Sequence, residues 1–407
     1  MFLTPRAFTA AMRCLVCWSC CLLFGLGEVC AEGLSTSMYG EMGLDAWAIS
    51  PKRPAMATDG ASATATHSYD ALGLPDTDTE WHFKPVSPWL RFSGSAQLAS
   101  DVEANFKFRA DQVAGMHVDA ANLDWAVSPS FGFRAGVVNF STNWCRTYDV
   151  DSPWVAEPDY FCRSNGYMNI NNAAPGVQAY TNTSLGAYRV QTVVGLYRPL
   201  FMLYNSDEFG FHPPKQNFHI DFNRKIGAAV NVLNTQTATQ VRLGTLRSDE
   251  GGAYASGSEV DGHRTRQNLI DNYYFGFDTA VRPFLRFRYT WSQYRSHLIS
   301  DELPVIQDKE YSQTVELIYD WQATDVLALG MSKFSIAAAQ NDVSQNIRAD
   351  DYYYQLSPAY FAAWRHQWGE AIYSTLQWTH ATQTSGYNGA RTSGAGSALG
   401  LRLGFQF

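Results

Sequence analysis

Apolar and polar residues alternate with a period of two along most of the chain. The last segment shows this best, because large apolar side chains at odd positions from Leu399 to Phe407 alternate with Gly, Arg and Gln. Segments 272–281, 284–292 and 310–321 repeat the pattern. Successive side chains of a β-strand point to opposite faces, so this period predicts strands with one apolar and one polar face. The chain is therefore predicted to be all-β.

Three further features favour a membrane-spanning barrel over a soluble β-sandwich, which would show the same alternation. The alternating segments run about 10 to 14 residues, the length of a tilted membrane-spanning strand, whereas sandwich strands are usually shorter. Aromatic residues such as Trp89, Trp125, Tyr273 and Trp364 lie near segment ends, where the membrane interfaces would be. The connections alternate between short and long, with one brief exception near 113–116.

Strands placed between these connections number sixteen, and an even number puts both termini on the same side of an antiparallel barrel. The predicted strands are 35–49, 88–99, 102–112, 117–127, 130–142, 174–184, 187–199, 217–233, 236–247, 269–281, 284–297, 310–321, 325–336, 351–364, 367–383 and 396–407. Hydrocarbon satisfies no backbone polar group, so the sheet must close on itself. Sixteen strands enclose a lumen too wide for side chains to fill, which predicts a water-filled channel.

The N-terminal segment 1–31 is predicted to be a secretory signal peptide. A basic start containing Arg6 and Arg13 precedes the apolar run 14–27, and small residues lead up to cleavage after Ala31. The apolar run is shorter than the roughly 18 to 20 residues that a membrane helix needs. Cleavage leaves a single barrel domain, 32–407.

The charge of the chain limits its partners. Its 30 Lys and Arg stand against 38 Asp and Glu, for a net charge of −8. An acidic chain without a block of basic residues is poorly suited to nucleic acid, whose phosphates require clustered cations. The sequence contains no phosphate-binding glycine loop, dinucleotide fingerprint or metal-ligand spacing, so neither cofactor nor metal is predicted.

With these features the chain resembles the outer-membrane porins of Gram-negative bacteria, over nearly the whole of 32–407. The sharpest local match is the C-terminal strand ending on Phe407. In that family the terminal aromatic residue belongs to the signal read by the barrel-assembly machinery. The resemblance implies an outer-membrane location, contact with lipid and lipopolysaccharide, and passive diffusion of small hydrophilic solutes and ions. It leaves trimer and monomer open, because the loop that latches trimeric porins is reduced here to residues around Gly115.

The long connection 143–173 lies between predicted strands five and six, where the family has a constriction loop folded into the lumen. The resemblance makes its acids the pore-constriction acids: Asp149, Asp151, Glu157 and Asp159. It also carries Cys145 and Cys162, the two cysteines left after signal cleavage, and a disulfide between them would restrain it by roughly 3 kcal/mol. The alternative is a disulfide-stapled loop outside the pore. The family's Pro-Glu-Phe-Gly-Gly signature is absent.

Porins often carry a row of cations on the barrel wall opposite that loop. The inward-facing cations on strands predicted to share one wall are Arg91, Lys107, Arg109, Arg134 and Arg402. With the loop acids they would produce a transverse field across the lumen. In the alternative interpretation, intervening acids neutralise the row: Glu41, Asp45, Glu103 and Asp124.

Other functional classes compete with the open pore. A substrate-specific or plugged transport barrel would hold the long connection 50–87, or the longer segment 33–87, in its lumen. A surface adhesin or structural barrel would conduct nothing. An enzyme is not predicted. Ser164 lacks the His of a phospholipase-type site two positions before it, and a lone His219/Asp221 pair is more often solvated lining than a water-activating site.

Overall fold

The computed structural model describes residues 35–52, 82–83, 86–111, 115–139, 152–155, 158, 173–197, 218–254, 264–300, 305–342, 347–387 and 390–407. Within these ranges the chain forms seventeen strands: β1 Thr36–Lys52, β2 His82–Phe83, β3 Ser87–Ala99, β4 Val102–Asp111, β5 Gly115–Ser128, β6 Phe131–Asn139, β7 Ala173–Leu185, β8 Tyr188–Tyr197, β9 Phe218–Asn234, β10 Thr239–Tyr254, β11 Arg264–Arg282, β12 Leu285–Ser300, β13 Val305–Gln322, β14 Asp325–Asp342, β15 Ile347–Gln367, β16 Ile372–Tyr387 and β17 Ala390–Gln406. The predicted signal peptide lies outside the described residues. No helix in the described part of the chain is long and apolar enough to cross a membrane.

The strands form one antiparallel sheet that closes on itself. Each long strand pairs with its neighbour along the chain, and β1 pairs with both β3 and β17. Closure extends to the last residue, since the backbones of Gly40 and Phe407 exchange two hydrogen bonds of 2.9 Å. The two-residue β2 pairs only with Ala48 and Ile49 of β1, so sixteen long strands make up the barrel. The predicted all-β class, closed barrel and strand number are confirmed.

Apolar side chains cover the outside of this barrel, and polar ones line the inside. On β17, Leu401 and Leu403 are 43% and 49% exposed, whereas Arg402 between them is 5% exposed. On β13, Leu317 is 40% exposed and the adjacent Glu316 is 1% exposed. Two stacked sheets with a dry core would bury the leucines instead. The apolar face is therefore the face available to lipid.

Strand ends on the short-turn side lie within three residues of the sequence prediction except at the start of β16, which is Ile372 instead of 367, and several strands extend further on the other side. The strands on the short-turn side are separated by turns 100–101, 129–130, 186–187, 235–238, 283–284, 323–324 and 368–371. On the opposite side, β11 begins at Arg264 instead of 269, and β15 begins at Ile347 instead of 351. These extensions are polar. Ladder hydrogen bonds do not require an apolar face, so the sheet continues where the alternation fades.

The connection predicted at 50–87 also contains more strand than expected. β1 continues to Lys52, and β2 lies near the far end of the connection, where it pairs with β1. The remainder of 50–87 lies outside the described residues, apart from Val86 and the first residue of β3. A plug formed by this connection stays a prediction.

Candidate functional site

A short segment of the connection between β6 and β7 lies inside the barrel. All the described residues of this segment, 152–155 and Pro158, are buried. Their contacts are with β13 to β17, on the far side of the lumen from the two strands that the connection joins. This part of the connection therefore crosses the lumen and folds inwards, as the resemblance to porins implies for 143–173. We call residues 152–155 and Pro158 the inserted segment.

Trp154 fixes the inserted segment against β13 and β15. Its indole Nε1 donates a hydrogen bond of 3.0 Å to Glu316 Oε2, and its ring packs edge-on against Phe361 with centroids 6.3 Å apart. The side chain is 2% exposed. On β14 between them, Gly330 makes room for Pro158, whose Cγ would lie 3.1 Å from a Cβ at this position. The lack of a side chain at Gly330 therefore lets Pro158 pack against the wall.

The backbone of the inserted segment bonds to three polar wall side chains. The Val155 N–H donates to Gln377 Oε1 over 2.7 Å on β16. On β15, Arg365 Nη1 donates to the Ser152 carbonyl over 3.3 Å. On β17, the two Nη atoms of Arg402 donate to the carbonyls of Trp154 and Val155 over 3.2 and 3.0 Å. Buried backbone groups that leave water need such partners, so these contacts hold the segment in one position.

Arg402 serves as a buried anchor for the inserted segment. Its Nε and Nη2 donate to the two carboxylate oxygens of Asp45 over 2.8 and 2.7 Å, in a bidentate pair. The β1–β17 ladder places the two residues directly opposite each other. Asp45 also accepts a bond of 2.9 Å from Trp89 Nε1. The acid compensates the buried cation, while the rest of the guanidinium remains available for the segment's carbonyls.

Two more of the predicted wall cations also pair with acids. Arg91 Nη1 lies 3.5 Å from Glu41 Oε2, and Arg134 Nε donates to Asp124 Oδ2 over 2.7 Å. In both pairs the partners face each other across adjacent strands. Local pairing of this kind weakens the transverse field that a row of uncompensated cations would produce. It corresponds to the alternative interpretation of the wall, in which intervening acids neutralise the cations.

Lys107 is the fourth wall cation predicted from the sequence. Lys107 lies half-buried on β4, beside Ser93 of β3. Outside the described side chains are Arg109, Asp149, Asp151, Glu157, Asp159, Cys145 and Cys162. The constriction acids and the disulfide therefore stay predictions.

A cavity of about 910 Å³ lies on the short-turn side of the inserted segment. Ser152 borders it on one side, and Pro283, Ala323 and Thr324 of the short turns border it on another. Its walls reach from β1, β3 and β4 across the lumen to β10 and β15. We call this cavity the vestibule. It places the inserted segment between the vestibule and the long-loop side of the barrel.

The comparisons with known proteins match this geometry. No protein-family model and no curated protein matches the sequence significantly. Among solved structures, the outer membrane channel DcaP of Acinetobacter baumannii matches with a TM-score of 0.55 at 13% identity, covering 92% of this chain and 98% of that one. The anion-selective porin from Comamonas acidovorans matches with a TM-score of 0.50 at 11% identity, covering 92% and 100%. The chain has the 16-stranded porin fold.

A third solved structure has the same fold. OmpTdeltaL8, a loop L8 deletion mutant of the Vibrio cholerae outer membrane protein OmpT, matches with a TM-score of 0.51 at 11% identity, covering 92% of this chain and all of that one. Identities this low establish the porin fold and nothing about solutes.

Several residues that hold the inserted segment in this porin fold were not singled out from the sequence. Alternation places Glu316 on the polar face of its strand, as it does for many residues. The same holds for Gln377 and Arg365. Which of them meet the segment depends on where the connection crosses the lumen, and no local pattern records that. An aromatic residue within a polar connection, such as Trp154, was a signal that the sequence did offer.

Proposed function

We propose that this protein is an outer-membrane porin through which small hydrophilic solutes and ions diffuse passively. The observation that carries the proposal is the inverted barrel, apolar outside and polar inside, with a buried segment anchored across its lumen. An apolar exterior of this kind is stable only in lipid, and a polar interior of this width holds water. Transport then needs no cofactor and no covalent chemistry.

The width of the channel is set by the inserted segment in this proposal. Five hydrogen bonds hold the segment against the wall, and their wall partners are the side chains of Glu316, Gln377, Arg365 and Arg402. It therefore acts as a fixed constriction, and size exclusion follows from the space left beside it. The predicted acids of 143–173 would add selection by charge at the same constriction.

The proposed location and partners follow from the same barrel. Residues 1–31 would direct export and be removed, and the outward apolar face would contact lipid and lipopolysaccharide. Phe407, whose ring stacks on Phe405 with centroids 6.0 Å apart, would present the terminal signal to the barrel-assembly machinery. A homotrimer is part of the proposal.

Single-channel recording tests the proposal. The purified barrel, refolded in detergent and shown to be folded by its heat-modifiable gel mobility, should produce discrete conductance steps in a planar bilayer. The heat-denatured sample and protein-free detergent serve as controls. A folded barrel that inserts into the bilayer and conducts no ions would contradict the open pore and favour an adhesin or structural barrel.

A further inference from the structure

A row of charged side chains crosses the outer face of the barrel on four neighbouring strands. The ladder sets Arg247 of β10 opposite Asp271 of β11. Arg295 of β12 lies opposite Asp271 on one side and opposite Lys309 of β13 on the other. The three cations are exposed, and they lie on the same face as the outward apolar residues of their strands. We call Arg247, Asp271, Arg295 and Lys309 the charged row.

The charged row lies at the edge of the apolar band, towards the long-loop side. The next outward residues on its short-turn side are the cross-strand partners Tyr273, Gln293 and Tyr311. The Tyr311 ring packs edge-on against Trp291, with centroids 6.4 Å apart, and aromatic girdles of this kind mark a membrane interface. Arg295 lies ten positions beyond the first residue of β12, about 25 Å of height at a ~40° tilt. Since the apolar band is about 25 Å tall, the row lies at the level of lipid headgroups.

Two cations of the charged row face each other without an acid between them. Arg295 and Lys309 are direct cross-strand partners, so their Cβ atoms lie about 5 Å apart, and like charges in this position destabilise a sheet. Arg295 Nη2 donates to Gln293 Oε1 over 3.5 Å. In the part of the chain that the structure describes, no ion pair joins Arg295 or Lys309 to an acid.

The acid of the row compensates only part of its charge. Asp271 stands between Arg247 and Arg295, so the row holds three cations against one carboxylate. Uncompensated cations beside hydrocarbon are costly, because little water is there to solvate them. An anion held between Arg295 and Lys309 would remove the repulsion between them.

The chemistry of the two side chains favours phosphate. A guanidinium binds two phosphate oxygens at once, and an ammonium binds phosphate as a point charge. A phosphate at this level has to belong to a molecule that also tolerates the aromatic girdle and the apolar wall below it. A lipid headgroup meets this condition, because its acyl chains can pack along that wall, whereas a free phosphate ion stays in water.

We infer that the outer face of β10 to β13 binds the phosphate groups of a phosphorylated glycolipid, the membrane-embedded part of lipopolysaccharide, through Arg295 and Lys309. The long-loop side is external in the proposed outer-membrane orientation, so the row meets the outer leaflet. The inference rests on that proposed location and adds a specific lipid site to it. It does not depend on whether the barrel conducts.

Native mass spectrometry of the folded barrel in a neutral detergent tests the inference. The probe is bisphosphorylated lipid A, and its dephosphorylated form is the matched lipid control. Wild type should retain the phosphorylated lipid and bind the dephosphorylated one more weakly. Arg295→Gln and Lys309→Gln should each raise the dissociation constant about fivefold, as expected for one cation at an anionic membrane surface. Asp271→Asn should lower it, and this gain separates the effect of charge from any loss of folding.

A control variant and two further ligands sharpen the result. Arg189→Gln makes the same charge change at an exposed position near the short-turn end of β8 and should leave the affinity unchanged. Phosphatidylglycerol and inorganic phosphate should bind more weakly than lipid A. Equal binding of either, equal binding of the dephosphorylated lipid, or indifference to Arg295 and Lys309 overturns the inference. Conductance recorded from the same preparations judges the pore separately, since a barrel that binds lipid A and conducts nothing contradicts only the proposed function.

Discussion

Loss of the Arg402 anchor should loosen the inserted segment. Arg402 connects β17 to Asp45 on β1 and to the carbonyls of Trp154 and Val155. Replacing Arg402 alone would leave Asp45 without its bidentate partner, and breaking such a buried pair typically costs about 3 to 5 kcal/mol. The double variant Arg402→Ala with Asp45→Ala removes both charges. It removes the segment's carbonyl bonds without leaving either charge unpaired, and it also removes the acceptor of Trp89 Nε1.

The size of the effect follows from the two bonds that are lost. A hydrogen bond to a charged group contributes about 1.5 to 3 kcal/mol, so loss of both bonds to Trp154 and Val155 weakens the anchoring by at least ~3 kcal/mol. Since each ~1.4 kcal/mol is a factor of ten, the displaced state of the segment should become more populated by about a hundredfold. The bonds from Trp154 to Glu316 and from Val155 to Gln377 remain. The segment should therefore fluctuate and remain partly attached.

Single-channel recording should detect this as added open-channel noise and brief steps of higher conductance. The control is Arg134→Ala with Asp124→Ala, which removes an ion pair joined by one hydrogen bond of 2.7 Å between β6 and β5. Both members of that pair contact Tyr180 of the barrel wall. The Tyr180 hydroxyl donates a hydrogen bond to Asp124, and the Arg134 guanidinium lies over the Tyr180 ring. Quiet recordings from the Arg402/Asp45 variant, or equal noise from both double variants, would refute the anchoring role.

Three other variants test separate parts of the structure. Gly330→Val adds atoms where Pro158 lies and should change conductance. The control Gly369→Val lies at a turn with open space around it and should leave conductance unchanged. Equal conductance in both variants would contradict the packing of the segment. Deletion of Phe407 removes two backbone bonds to Gly40 and should lower the heat-modifiable fraction in the membrane, which a normal yield would contradict. Lysine in place of the four predicted acids of 143–173 should shift the reversal potential towards anions, and an unchanged value would place those acids away from the pore.

Much of the barrel could be predicted from the sequence because the bilayer acts on each strand separately. Lipid favours apolar side chains at every second position, so the segment from Leu399 to Phe407 identifies its own outer face without reference to its neighbours. The connections then separate one strand from the next, and the number of strands between them gives the size of the barrel. The strand ends on the long-loop side were less accurate, as at Arg264, because the ladder there continues without an apolar face.

The pairing of charges within the lumen was decided only by tertiary structure. Asp45 and Arg402 lie 357 positions apart, and only closure of β1 on β17 sets them opposite each other. Likewise, the inserted segment meets Glu316 and Gln377 because its connection crosses to the far wall. Alternation assigns a side chain to the lumen, but which lumen residues touch depends on barrel register and loop path. These are properties of the closed sheet as a whole, and no single strand carries them.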